Sequence, residues 1–411
     1  MKTLPLFTAL ALAGAAGSAL AAPPIEFSGY FRAGVGINTR GGNQVCYGLS
    51  GADTKFRLGN ECDYVVEPTF DAKLAEYEGS DWHVRVMPSV YKGWDSGNAA
   101  NNGNGPDQLT TRFGQIYAYG QNISQLANGR VWAGRRFYNR LQTGINDQFL
   151  ENNDGNGAGV EDMDLGIGKL SVAFMMDPNN DAYNNRFALP IRMTGIKDMP
   201  NGELSIYVTP SKQLKTANQE PTPPGPAVEP AAQANGLAVG IYQKLNGVIL
   251  GGDTLFGVKA DKQGELKNTR VVFQQGMSMG GTAIDFITEY RVRKNKDALT
   301  GADTGNKWFM IGARTDTHLS GPFRFLAEVG HDQVKPDGGG ATQNLTKGTL
   351  AVAASAGKEA GSRPTVRLFV THAIWNDAVR TAGGLSSTNT RQVFGDKKSG
   401  TSVGVQAESW W

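Results

Sequence analysis

Both ends of this 411-residue chain alternate between apolar and polar side chains with a period of two. In residues 26–38, Phe27 falls on one face, while Tyr30 and Arg32 fall on the other. The last ten residues, 402–411, alternate in the same way and end on two tryptophans. A period of two indicates a β-strand whose faces meet different environments. A sheet that closes on itself explains both ends, because closure leaves no unpaired edge. We therefore predict an all-β fold, a transmembrane antiparallel β-barrel.

The N-terminus is typical of a secretory signal peptide. Residues 1–21 contain a positive Lys2, an apolar stretch over residues 4–16 and a small-x-small cleavage site at 19–21. No later segment has the roughly 18 uninterrupted apolar residues that a membrane-spanning helix needs. We expect an exported chain in which residues 22–411 form a single barrel domain.

The composition agrees with a barrel and argues against other classes. Only 40% of the residues are hydrophobic and the mean hydropathy is −0.34, as expected when a polar lumen face offsets an apolar lipid face. The 40 basic and 38 acidic residues leave no basic footprint for nucleic acid. Two cysteines and four histidines make no ligand cluster. We expect no nucleic-acid partner, no metal and no cofactor.

Internal segments repeat the alternation. In residues 365–375, Val366 and Leu368 would face outward, whereas Arg367 and Trp375 would share the lumen. A charge on the lipid side near mid-bilayer would cost about 2–4 kcal/mol.

Turn-forming stretches of two lengths separate these segments. A short one lies at residues 200–202, and long ones lie at 96–108 and 213–236. This pattern is typical of outer-membrane barrels, with turns in the periplasm and loops outside the cell. We therefore expect a multi-pass barrel in the outer membrane of a Gram-negative bacterium.

The chain has two cysteines, Cys46 and Cys62. In an exported protein we expect them to form a disulfide, which would close a loop of roughly 15 residues. In the chain-entropy model such a loop contributes about 3 kcal/mol.

Several motifs follow one another along the chain: 55–62 with Cys46 upstream, 131–140, 157–169, 305–314, 362–369 and the terminal Trp410-Trp411. In this order they resemble the maltoporin family of trimeric, 18-stranded sugar porins. The similarity runs from Phe27 to the C-terminus and weakens between about 175 and 265. The resemblance implies a homotrimeric channel with 18 strands, surrounded by outer-membrane lipid, for the facilitated diffusion of oligosaccharides.

The resemblance also implies two sets of lumen residues. Sugar rings would stack on a file of aromatic side chains while charged groups exchange hydrogen bonds with the hydroxyls; conduction needs several modest sites. The aromatic file would comprise Tyr30, Trp94, Phe256, Trp375 and Trp410. The polar track and constriction would comprise Arg32, Arg57, Glu67, Arg112, Arg140, Asp147 and Phe149. The alternation independently places Tyr30, Trp375 and Trp410 on the polar face.

The alternation also supports two residues of the polar track. Arg57 and Glu67 share the lumen face, while Phe56 and Leu58 share the opposite, outward face. The same reasoning over residues 131–140 places Arg140 in the lumen.

Three positions depart from the family pattern. Val65 stands where the family has a second tyrosine, Gln142 replaces a constriction aspartate, and Phe149 replaces a tyrosine. These changes leave the preferred sugar and its chain length open. The tryptophans could instead belong to an interfacial girdle, the role we expect for Trp411, and lumen arginines could merely cross-link the wall.

The sequence leaves three alternative functions to consider. One is a general diffusion porin without saccharide selectivity, and another is an exported soluble carbohydrate-binding β protein. An acidic cluster at Glu161, Asp162 and Asp164 could suggest the paired carboxylates of a glycosidase. It lies beside a glycine-rich segment without a recognisable catalytic motif, so we expect no enzyme.

Overall fold

The computed structural model describes residues 24–93, 110–176, 186–213, 235–297, 300–381 and 393–411. The expected signal peptide (1–21) and Trp94 lie outside the described residues. Within the described part, no helix is long and apolar enough to cross a membrane.

Strands make up almost all of the regular structure. The described residues also contain a 3₁₀ turn (Ser124–Leu126) and a short helix, α1 (Asp377–Thr381). The strands are β1 (Ile25–Asn38), β2 (Asp63–Tyr77), β3 (Ser80–Gly93), β4 (Thr110–Ile123), β5 (Gly129–Arg136), β6 (Leu141–Thr143), β7 (Gln148–Glu151), β8 (Gly155–Asp164), β9 (Lys169–Met176), β10 (Arg186–Ala188), β11 (Ile191–Ile196), β12 (Gly202–Gln213), β13 (Asn235–Ile249), β14 (Gly252–Gln263), β15 (Leu266–Met279), β16 (Thr282–Lys294), β17 (Asn306–Ser320), β18 (Phe323–Pro336), β19 (Gln343–Ser355), β20 (Thr365–Trp375) and β21 (Ser399–Trp410).

The large sheet is a closed antiparallel barrel. It contains 19 strands, and β6 and β7 form a separate hairpin. Because β10 and β11 both lie between β9 and β12, they occupy one place, so the ring has 18 places. The first strand pairs with the last, from Tyr30 opposite Trp410 to Asn38 opposite Ser402. The predicted 18-stranded barrel is confirmed, and a soluble sandwich is excluded.

Alternating burial shows which face of each strand meets the lumen. On β20, Val366, Leu368 and Val370 are exposed on the outside, whereas Arg367 and Trp375 are buried inside, as the sequence predicted. The outward side chains are apolar because they face hydrocarbon, and the charged ones face the polar interior.

Two long connections fold into the lumen. We call residues 39–62, between β1 and β2, the first inner loop, and residues 137–154, between β5 and β8, the second inner loop. The second contains the β6–β7 hairpin. It crosses to the far wall: Lys259 Nζ on β14 donates to the Leu150 carbonyl at 2.7 Å, and Arg314 on β17 donates to the Ile145 carbonyl at 2.8 Å.

The first inner loop corrects one expectation. Phe56 is 2% exposed and Leu58 is 1% exposed, so neither faces outward. They belong to a loop, since β2 begins only at Asp63, and they pack against the inner wall. A Cβ added at Gly312 or Gly330 would lie 2.1 or 2.0 Å from the Phe56 ring, so bare backbone at these glycines makes room for it.

A disulfide joins Cys46 to Cys62 within the first inner loop, as expected, with a Cα–Cα distance of 5.8 Å. The two inner loops also contact each other. The Arg57 backbone N–H donates to the Ile145 carbonyl at 3.4 Å, and the Thr54 hydroxyl donates to the Asn146 carbonyl. Together the loops narrow the lumen.

The two ends of the barrel differ. At the turn end, which carries Ile25 and Trp411, the connections are short, such as Gly280-Gly281 between β15 and β16. The exception is the segment 356–364 between β19 and β20, the longest connection at that end. The opposite end, the loop end, carries the long connections.

Candidate functional site

The two terminal tryptophans lie on opposite faces of β21. Trp410 is the register partner of Tyr30 on the lumen side, beneath the guanidinium of Arg363. Trp411 lies on the lipid side, where its ring centroid is 5.4 Å from that of the outward-facing Phe27. Two neighbours in sequence thus meet different environments.

Beside Tyr30 and Trp410 lies a network of charged side chains. Arg32 forms an ion pair with Glu61 and donates to Asp63 at 2.6 Å and to the Tyr30 hydroxyl at 3.0 Å. Tyr30 in turn donates to Glu408 Oε1 at 2.9 Å. The first strand, the first inner loop and the last strand therefore meet at one point on the wall.

Glu408 is the centre of this network. Arg57 Nη2 lies 3.1 Å from its carboxylate, Arg363 Nη2 lies 3.2 Å from it, and Arg367 also pairs with it. Burial alone would lower the pKa of Arg57, but the carboxylates of Glu61 and Glu408 raise it overall. Arg57 therefore stays charged inside the lumen.

The second inner loop carries the predicted constriction residues. Arg140 pairs with Asp154, and its guanidinium lies 4.6 Å from the centre of the Phe149 ring. The Asp147 carboxylate accepts a hydrogen bond from the Gln142 amide. Burial raises the pKa of Asp147 above its ordinary value, while the Arg57 guanidinium opposes that shift.

The alternation of strand residues does not explain why Arg57 and Arg140 lie in the lumen. Both lie in inner loops, beyond the end of β1 and β5 respectively. The alternation argument for them is therefore wrong, although both side chains lie inside the barrel. Arg32 and Asp147 line one cavity of about 340 Å³ together with Asp63.

Glu67 and Arg112 lie on the wall formed by β2 and β4, and Glu67 is next to this network. Glu67 is opposite Tyr30 in the β1–β2 register and accepts a hydrogen bond from the Ser89 hydroxyl at 2.9 Å. Arg112 on β4 is opposite Ser89 and lines a cavity of about 250 Å³ at the loop end with Arg136.

Phe256 does not belong to the lumen set, and this prediction is wrong. Its side chain is 47% exposed on the outer face of β14. Lys259 on the same strand reaches inward to Glu151 at 2.9 Å. Residues 256 and 259 differ by an odd number, so an unbroken strand places them on opposite faces.

Trp375 faces the interior but lies apart from Tyr30 and Trp410. It is at the loop end of β20 and only 6% exposed. Its ring centroid lies 5.5 Å from that of Phe394 and 6.3 Å from that of Tyr47. The structure therefore brings Tyr30 and Trp410 together and leaves Trp375 beneath other aromatic rings.

The acidic cluster weighed as a catalytic site is part of the wall. The Glu161 carboxylate lies between Arg136 at 2.9 Å and Arg130 at 3.1 Å. Asp162 pairs with Arg192 at 3.2 Å.

Sequence analysis missed several members of the network around Trp410. Glu408 shares the alternating face of Trp410, so the period-two pattern could have identified it. Glu61 and Arg363 lie in connections, where no period indicates direction. Their positions depend on which connections fold across the lumen.

Solved structures with a similar fold are bacterial barrels. OccAB1 of Acinetobacter baumannii is 8% identical, with a TM-score of 0.55, and the match covers 94% of this chain and 96% of that chain. OccK9 (OpdG) of Pseudomonas aeruginosa is 10% identical, with a TM-score of 0.54, and the match covers 94% and 98%. OccAB2 of A. baumannii is 9% identical, with a TM-score of 0.54, over 94% and 98%. At these identities the likeness concerns the fold alone.

The family is shown by sequence. A sequence model described as LamB porin matches residues 25–411, which include every strand of the barrel. The family and the fold indicate a channel rather than an enzyme, and they place the short turns in the periplasm and the long loops outside. The resemblance to maltoporins is confirmed: the chain belongs to the LamB porin family and is a multi-pass β-barrel of the outer membrane.

Proposed function

We propose that this porin carries out the facilitated diffusion of sugars. One observation carries the proposal: Tyr30 and Trp410 lie opposite each other on the lumen face, beside a network of charged groups built on Glu408. A sugar ring has an apolar face and a hydroxylated rim. The aromatic rings suit the face, and the arginines and carboxylates suit the rim.

The geometry favours passage over tight binding. The Trp410 side chain is 47% exposed, so one ring offers a modest platform rather than an enclosed pocket. Arg57 is held by carboxylates, and each guanidinium has five N–H donors, so donors remain for the hydroxyls of a passing sugar. Substrates of the maltose and maltodextrin type, or related oligosaccharides, fit this chemistry.

A general diffusion porin is the second candidate, and specific observations favour it. Phe256 faces outward, Trp375 is covered and Val65 offers no ring, so the aromatic file is shorter than the family resemblance implied. The two candidates differ in one measurable property. A sugar-selective pore shows saturable block of ion current by sugar, and a general porin does not.

The test is sugar block of ion current in planar bilayers with maltotriose. For Trp410→Ala we expect block to weaken roughly 2- to 10-fold, because aromatic packing contributes about 0.5–1.5 kcal/mol. Ion conductance should stay similar or rise, since a bulky side chain leaves the lumen.

The matched control is Trp411→Ala, which removes the same side chain from the lipid face. It should leave the block constant unchanged. Unchanged block in both Trp410→Ala and Tyr30→Ala would contradict the stacking role, and absence of any block in the parent protein would favour general diffusion.

We also propose that the barrel assembles as a homotrimer. The outer face of β4, β5, β8 and β9 carries small residues, among them Ala118, Ala133 and Ala158, which line an apolar concavity of about 640 Å³. The larger side chains of Trp82 and Phe174 also line it. Such a surface suits close contact with a second copy of the chain.

A further inference from the structure

The turn end of the lumen holds a cavity with an unusual lining. Its volume is about 390 Å³, and Trp410 forms part of its wall. Five arginines line it: Arg57, Arg314, Arg324, Arg363 and Arg367. Only three carboxylates do so, those of Asp285, Asp316 and Glu408. The formal charge of the whole chain is only +2, so this concentration of arginines is local.

Some of these arginines are matched by carboxylates of their own. Arg324 donates to Asp316 at 2.7 Å, and Arg314 donates to Glu328 at 2.8 Å. These pairs lie on β17 and β18. They contribute little free positive charge to the cavity.

The arginines beside Trp410, in contrast, share one carboxylate. Arg363 and Arg367 depend on the single carboxylate of Glu408, which also pairs with Arg57 and accepts from Tyr30. A carboxylate has about four acceptor positions, whereas each guanidinium has five N–H donors. The acceptor positions of Glu408 are thus filled, whereas its arginines keep N–H donors for other partners. In the described part of the chain, Glu408 is the ion-pair partner of both Arg363 and Arg367, whereas Arg57 also pairs with Glu61.

Arg363 also covers the aromatic platform. Its guanidinium carbon lies 3.8 Å from the centre of the Trp410 ring. It comes from the segment 356–364, which the Arg324 guanidinium holds across the turn end by donating to the Lys358 carbonyl. A neutral sugar that stacks on this face must displace a cation from the ring.

We propose that Arg363 and Trp410 form a binding site for saccharides that carry an anionic group, such as a uronate. The guanidinium leaves the ring to pair with the anion, and the sugar takes its place on the ring face. A neutral sugar displaces Arg363 without that compensation. Arg363 thereby discriminates between charged and neutral sugars at the periplasmic end of the pore. This inference rests on the proposed sugar channel and names a class of its substrates.

The experiment measures block of single-channel current from the turn end by trigalacturonate and, separately, by maltotriose. For Arg363→Gln the expected changes have opposite signs. Block by trigalacturonate weakens about tenfold, because a charge-assisted contact is lost. Block by maltotriose strengthens about 2- to 5-fold, because the cation–π contact no longer competes for the ring.

Two controls accompany this variant. Arg380→Gln removes the charge of an arginine in α1, which pairs with Asp396 outside the network around Glu408, and should change neither block constant. Acetate at the same carboxylate concentration should not compete with trigalacturonate. Full competition by acetate would overturn the saccharide assignment and leave a simple anion site.

The failures of the two proposals are distinguishable. If Trp410→Ala weakens block by maltotriose but Arg363→Gln changes both sugars in the same direction, or neither, only this inference is overturned. If neither sugar blocks the parent channel, the proposed sugar channel fails and this inference fails with it.

Discussion

Whether a strand residue of this barrel faces lipid or lumen depends on whether its position in the strand is odd or even. Trp410 and Trp411 show this most directly, because one lies under Arg363 in the lumen and the other contacts Phe27 outside. Strand residues such as Tyr30 and Arg367 could therefore be placed from sequence. Phe256 could not, because its assignment came from a weak part of the family resemblance, and the parity of β14 opposes it.

Asp147 gives a prediction at this scale. Burial raises the pKa of its carboxyl above the ordinary 3.8, against the opposing effect of Arg57. As pH falls, Asp147 should become neutral before an ordinary exposed aspartate does. The constriction then loses a negative charge, so the permeability ratio of anions to cations should rise. Reversal potentials in a salt gradient, measured stepwise from neutral to acidic pH, test this.

Asp147→Asn is the matched variant. It should show the raised anion preference already at neutral pH, and the acidic step assigned to Asp147 should disappear. A titration curve identical to that of the parent protein would show that Asp147 does not set this selectivity.

At the scale of elements, strands were predictable and inner loops were not. A strand carries its own period of two, so residues 365–375 identify their outward face without knowledge of the rest. The inner loops have no period. Arg57 and Arg140 are held inside by contacts between distant segments, such as Arg314 with the Ile145 carbonyl, 169 residues apart. Local sequence contains no signal for such pairings.

The contact between the Phe56 ring and Gly330 gives a prediction for the first inner loop. Gly330→Ala would place a methyl group 2.0 Å from the Phe56 ring and force it from the wall. Overpacking of this kind lowers the free energy of unfolding by roughly 1–3 kcal/mol. The expected result is a lower free energy of unfolding in urea, or a lower temperature for the heat-induced gel shift.

Gly348→Ala is the control, because a Cβ at Gly348 meets nothing within 4 Å. Adding Phe56→Leu should recover part of the stability lost in Gly330→Ala, since residues in contact are energetically coupled. Equal effects of Gly330→Ala and Gly348→Ala would show that the contact with Phe56 does not cause the loss of stability.

At the scale of the whole molecule, the sequence predicted closure because both termini alternate, and 18 strands because of the family resemblance. The surface proposed to meet another subunit cannot be located from the sequence of one strand. It depends on small residues of four strands lying side by side, and these are separated along the chain by the second inner loop.

The proposed trimer gives the prediction for this scale. Ala158→Trp fills the outer concavity and remains compatible with lipid, so the barrel should fold but dissociate into monomers in mild detergent. Val370→Trp adds similar bulk to the outer face of β20 and should leave the oligomer intact. Native mass spectrometry distinguishes the two. A trimer of unchanged stability in Ala158→Trp would place the interface elsewhere.

The seam between the first and last strands has a consequence for assembly. The hydrogen bond from Tyr30 to Glu408 joins residues 378 positions apart, and Trp410 stands opposite Tyr30 across the same junction. A chain that ends before β21 consequently lacks this junction. Closing the barrel and assembling the proposed sugar site therefore depend on the same strand pairing.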